Sequence, residues 1–85
     1  MIIVYGSHAS GRLAERADQL EISIDDALNR VKETLCHGSL SRSKRSRRNL
    51  VYCKYFNDNI SFFVVCRKHD EKCLVKTVII KEGRE

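Results

Sequence analysis

Ser41-Arg42-Ser43-Lys44-Arg45-Ser46-Arg47-Arg48 divides the chain into two halves of different character. Five of these residues are cationic, three are serine and none is apolar, so the stretch adds nothing to a core. Apolar residues recur at helical intervals before it and alternate with period two after it. The run is therefore a joint in the fold. It is either a solvated connector or a loop that grips phosphate, and the flanking segments bear on the choice.

On the N-terminal side, Ser23-Ile24-Asp25-Asp26 is a helix start. The serine caps, and the two acids meet the positive end of the helix dipole. Ile24, Ala27, Leu28, Val31 and Leu35 then form one apolar stripe, with Arg30 and Lys32 pointing elsewhere. Gly38 follows the stripe and suits a left-handed C-terminal cap. Further upstream, Ile2-Ile3-Val4-Tyr5 is a short β-branched strand ended by Gly6. Ser7 is the expected cap of a first helix running from His8 to about Gln19. Gly11 inside that helix costs up to about 1 kcal/mol relative to alanine, or permits a close approach of backbone or ligand.

On the C-terminal side, residues 49–57 alternate, with Leu50, Tyr52 and Lys54 on one parity and Val51, Cys53 and Tyr55 on the other. Asp58-Asn59 is a turn pair. The next run, Ile60-Ser61-Phe62-Phe63-Val64-Val65-Cys66, is almost wholly apolar and reads as a central strand. A polar turn over residues 68–72 leads to a last strand from Cys73 to Ile80, interrupted by Lys76 and Thr77, and then a charged tail. The order predicts an α+β domain, β-α-α-β-β-β, with two N-terminal helices packed on one face of an antiparallel sheet. One domain spans residues 1–85: a helical half over about 1–40, the basic joint at 41–48 and a β-meander at 49–81. The other sheet face is partly open to a ligand.

Of 16 lysines and arginines, five lie in the joint; the other 11 balance the 11 acids, so the whole net charge of +5 resides there. A local cationic patch points to a polyanionic partner, RNA or another nucleic acid. The N-terminal apolar stretch is too short for a signal peptide and no apolar run has the length of a membrane span. The expectation is a cytoplasmic chain with no membrane partner. Cys36, Cys53, Cys66 and Cys73 are separated by 16, 12 and 6 residues, none of them a zinc-knuckle spacing. Free, buried thiols are expected, with no metal and no small-molecule cofactor. The one conceivable metal set is Cys66, His69 and Cys73 with a more distant cysteine.

His8, Arg12 and Arg16 follow one another at intervals of four, along one helix face. An imidazole can move a proton near neutral pH, and guanidinium forks bind phosphate oxygens. The alternative is an exposed face paired with Glu15 or Asp18. Tyr52 and Tyr55, on a strand beside the joint, have the chemistry to stack nucleobases. Phe62 and Phe63 are expected in the core.

The pattern His8-Ala9-x-x-Arg12-x-x-x-Arg16, then Ile22-Ser23, Gly38, a basic stretch and Tyr52-x-Lys54-Tyr55, resembles small proteins of the RelE/ParE superfamily, in particular a BrnT-like or phage- and plasmid-borne branch. The link from Arg16 to Ile22 is longer than that family's usual short turn. The resemblance implies two helices on a curled sheet, and a module of toxin–antitoxin systems or mobile elements with an antitoxin or host complex as partner. It also implies metal-independent RNA cleavage, with His8 transferring the proton and Arg12 and Arg16 stabilising phosphorane charge. Only His8, Arg12 and Arg16 carry over from the resemblance; by their charge and aromatic chemistry, Arg42, Lys44, Arg45, Arg47, Arg48, Tyr52 and Tyr55 would hold the RNA. The contrasting expectation is a phage- or plasmid-encoded protein that binds nucleic acid, or inhibits a host nucleoprotein, without turnover.

Overall fold

The computed structural model describes residues 2–41 and 49–84. Seven elements follow in order: β1 (Ile2–Tyr5), α1 (Ser7–Gln19), α2 (Ile24–His37), β2 (Ser39–Ser41), β3 (Leu50–Phe56), β4 (Ile60–His69) and β5 (Lys72–Glu82). The strands form one sheet in the order β1-β5-β4-β3-β2. The α+β class and the meander of β3, β4 and β5 agree with the sequence reading.

The sheet is mixed rather than antiparallel, because β1 runs parallel to β5. The cause is β2, a strand that the sequence reading lacks. One more chain reversal between α2 and the meander turns an antiparallel neighbour into a parallel one. Ser41 closes this strand, opposite Val51.

Gly38 makes β2 possible through space rather than through conformation. Its φ of −76° is extended, not left-handed. A Cβ there would lie 2.4 Å from the Thr34 carbonyl oxygen and 2.7 Å from that of Cys53. The chain thus leaves α2 in close contact with the β3 backbone. Gly11 is the opposite case: nothing lies within 4 Å of a Cβ built on it, so no close approach explains that glycine.

Both helices bury small or branched residues against one sheet face. Ala9, Leu13 and Ala17 of α1 and Ala27, Val31 and Leu35 of α2 join Ile60, Phe62, Val64, Cys66, Cys73, Val75, Val78 and Ile80 in a single core. Thr34 completes the α2 stripe, its hydroxyl donating to the Arg30 carbonyl at 2.7 Å. Ile24 and Leu28, expected in that stripe, are exposed, because the helix turns its narrower Ala27–Val31–Leu35 line to the sheet. The Ser23 cap forms as expected, accepting from the Asp26 amide at 3.2 Å. Helix α1 instead begins at Ser7 with Gly6 at the cap position and no side-chain cap bond.

Lys76 and Thr77, which break the alternation of the last strand, mark a β-bulge. Val65 pairs with Thr77 and Cys66 with Val75, leaving Lys76 as the extra residue. Arg30, off the apolar stripe as expected, reaches the β3–β4 turn at the end of the sheet. Its guanidinium donates to both Asp58 carboxylate oxygens at 3.0 and 2.6 Å, and lies 5.0 Å from the Phe56 ring centroid. It thereby ties α2 to the β3–β4 turn and holds the Asp58 carboxyl below its ordinary value of 3.8.

Candidate nucleic-acid interface

Strand alternation and register sort the sheet residues into two faces. The face away from the helices carries Val51, Cys53 and Tyr55 of β3, and Ser61, Phe63, Val65 and Arg67 of β4. Ile79 and Lys81 of β5 share it. No described strand residue on this face is acidic. Tyr55 is 38% exposed and Phe63 half-buried. Tyr55 pairs with Ser61, so Tyr55 and Phe63 are diagonal neighbours, about 7–8 Å apart at the backbone.

Each ring has a cation over it. The Lys81 ammonium lies 5.5 Å from the Phe63 centroid and the Arg84 guanidinium 5.2 Å from that of Tyr55. Gly83 sets this arrangement. At φ +91° it lets the chain turn after β5, its amide donating to the Asn59 carbonyl at 2.7 Å. The Ser61 hydroxyl donates to the Gly83 carbonyl at 2.6 Å, and the Tyr55 hydroxyl to Asn59 Oδ1 at 2.8 Å. A groove of about 510 Å³ results, bounded by Cys53, Tyr55, Phe63, Arg84, His37 and Ser41. That volume is within the range of about 300–1,000 Å³ usual for ligand sites.

The structure separates the expected binding tyrosines. Tyr55 is in the groove. Tyr52, of opposite parity, packs against the core on the helix side, with the Lys68 ammonium 4.8 Å from its ring centroid. The hydrogen bond to Tyr52 raises the Lys68 pKa above its ordinary value. Arg42, Lys44, Arg45, Arg47 and Arg48 lie outside the described residues. The described chain stops at Ser41, on the groove's rim, and resumes at Asn49.

His8, Arg12 and Arg16 are exposed on α1, in the helical layer behind the sheet. Arg12 and Arg16 line a second groove, of about 440 Å³, together with Glu15, Gln19 and residues 77–79; His8 is not among its lining residues. Arg16 donates to the Gln19 amide oxygen at 3.1 Å, and among the described residues the His8 side chain makes no hydrogen bond. The structure therefore brings the two arginines together and sets all three residues apart from Tyr55 and Phe63.

Cys66 and Cys73 meet in the core as free thiols. Burial, with a contact to Cys73, pushes the Cys66 thiol up to about 12. His69 is exposed beside Asp70 at 3.5 Å and does not join them. Among the described residues no three histidines, cysteines or carboxylates converge to hold a metal.

Phe63, Lys81 and Arg84 were missing from the sequence-based set. Phe63 is hidden in an unbroken apolar run, and the two cations belong to what reads as a solvated tail. No family model matches the chain, and no curated protein or solved structure is similar to it. Among the described residues no helix is long and apolar enough to cross a membrane.

Proposed function

We propose that the open sheet face binds single-stranded RNA. One observation carries this reading: an acid-free face on which two accessible aromatic rings each sit under a cation. Bases stack on Tyr55 and Phe63, and Lys81 and Arg84 move from the rings to the phosphates. Stacking on rings combined with cations along the backbone is how single strands are held without sequence readout. The five cations of residues 42–48, which follow Ser41 in the chain, extend the grip to flanking phosphates. The RelE/ParE-like arrangement, with its toxin–antitoxin context, belongs to the same proposal.

Binding without turnover fits the geometry better than cleavage does. A general acid must reach the scissile phosphate, and His8 stands in a different layer from the stacking face. The cleavage reading draws on the groove shared by Arg12 and Arg16, where guanidiniums would face a phosphorane.

Fluorescence anisotropy with a labelled single-stranded RNA of mixed sequence tests both. Seven phosphate contacts, from Lys81, Arg84 and the five cations of residues 42–48, give a slope of log K against log salt of about −5. A slope near zero would remove the proposal. Incubation of total RNA with the protein in EDTA separates the two readings. The binding reading predicts intact RNA; cleavage that His8→Ala abolishes would replace it with the catalytic one.

A further inference from the structure

Strand β5 outlasts its neighbour. β1 pairs only with residues 72–75, and the last rung on that side is the Gly6 amide donating to the Val75 carbonyl at 3.0 Å. β5 continues to Glu82, with β4 on its inner side and, among the described residues, no strand on its outer side. An unpaired strand edge is a template for another strand.

The groove of about 440 Å³ lies along this edge, between Arg12, Glu15 and Arg16 of α1 and residues 77–79 of β5. Its two sides differ. Two guanidiniums and one carboxylate stand on the helix side. On the open side Ile79 is 39% exposed, and Val4 and Leu74 continue an aliphatic patch along the sheet.

We propose that this edge accepts an extended peptide of alternating acidic and aliphatic residues as an added strand, in line with β1. Successive side chains of a strand point to opposite faces. The acids of such a peptide meet Arg12 and Arg16, and its aliphatic residues meet Ile79 and its neighbours. Main-chain bonds supply affinity and the alternating contacts supply specificity. The bulge at Lys76 places a cation on the edge, which repels cationic strands and favours acidic ones. A second copy of this chain is the less suited occupant, since pairing β5 with itself gathers Lys76, Lys81, Arg12 and Arg16 of both copies along one seam. This assignment is independent of the RNA-binding reading, whose rings lie in the other groove; it gives to a peptide the arginines that the cleavage reading gives to a phosphorane.

The probe is a fluorescein-labelled heptapeptide, Glu-Val-Glu-Val-Glu-Val-Glu, titrated into the full chain. Saturable binding is expected, with amide hydrogen exchange slowed at least about tenfold between Thr77 and Lys81. A peptide N-methylated at alternate residues, which loses its strand donors, should bind at least tenfold more weakly. The double variant Arg12→Glu/Arg16→Glu should show a similar loss of peptide affinity. Unchanged exchange at 77–81, or equal binding of the N-methylated peptide, would overturn the proposal. So would light scattering that shows a dimer whose contact protects the same amides.

Discussion

Phe62 and Phe63 are adjacent in sequence and belong to different environments. Phe62 is fully buried, edge-on to Phe56 at 5.4 Å between centroids, among the residues that both helices cover. Phe63 points the other way, toward solvent and under Lys81. The same side chain is core on one face of β4 and contact surface on the other. What distinguishes them is which face the helices cover, a property of the whole chain and not of the local run.

The sharpest way to break this comparison is to truncate each ring. Phe62→Ala should cost about 3–5 kcal/mol, in the range for a large buried aromatic, read as a shift of the urea midpoint. Phe63→Ala should cost less, roughly 1–2 kcal/mol, since its half-buried ring is already partly open to water. Equal losses would place both rings in the core and remove the open face as a site.

Two glycines sharpen it next. Gly38→Ala should destabilise by about 1–3 kcal/mol, because both obstructing atoms are backbone carbonyls that cannot swing aside. Gly11→Ala meets nothing and should stabilise by up to about 1 kcal/mol through helix propensity. Thermal unfolding of the two variants should move in opposite directions.

Arg30 closes the end of the covered face. Its side chain is 16% exposed and that of Asp58 40%. Charged hydrogen bonds of this kind are worth about 1.5–3 kcal/mol, and the exposure of Asp58 screens part of that, so Arg30→Ala should cost about 1–2 kcal/mol. The depressed Asp58 pKa means that its contribution is present above 3.8 and is lost as pH falls below it, through the folded value. The Cys66 thiol acts at the other extreme. Its raised pKa means that stability is intact below 9.0 and falls as pH rises from 9.0 toward about 12. Urea midpoints across pH should show the acid loss disappear in Asp58→Asn and the alkaline loss shrink in Cys66→Ala.

The helices, the three long strands and their turns could be read from residues, because each has a period and a punctuation of its own. Ser23 with Asp25 and Asp26 announces α2; Asp58-Asn59 announces the β3–β4 turn. Ser39-Leu40-Ser41 announces nothing. It is three exposed residues whose pairing depends on Gly38 passing the Cys53 backbone, and with it went the parallel placement of β1. Lys76 and Thr77 were visible as an interruption, but only register shows that they form a bulge. Tyr52 and Tyr55, grouped by their chemistry, lie on different faces of β3, as their opposite parity requires. The unbroken apolar run 62–66 conceals its own alternation, so Phe63 gave no sign of facing out. Arg84 reaches Tyr55 only because Gly83 turns the tail back, which composition does not reveal.

The central claim is that the open face grips single-stranded RNA through its two rings. The direct measurement is the affinity of a labelled single-stranded RNA, at fixed salt, for the wild type and for Tyr55→Ala/Phe63→Ala. Stacking is worth about 1–3 kcal/mol per base, so the double variant should bind roughly tenfold or more weakly while still unfolding cooperatively. Equal affinity in a folded double variant would contradict the account.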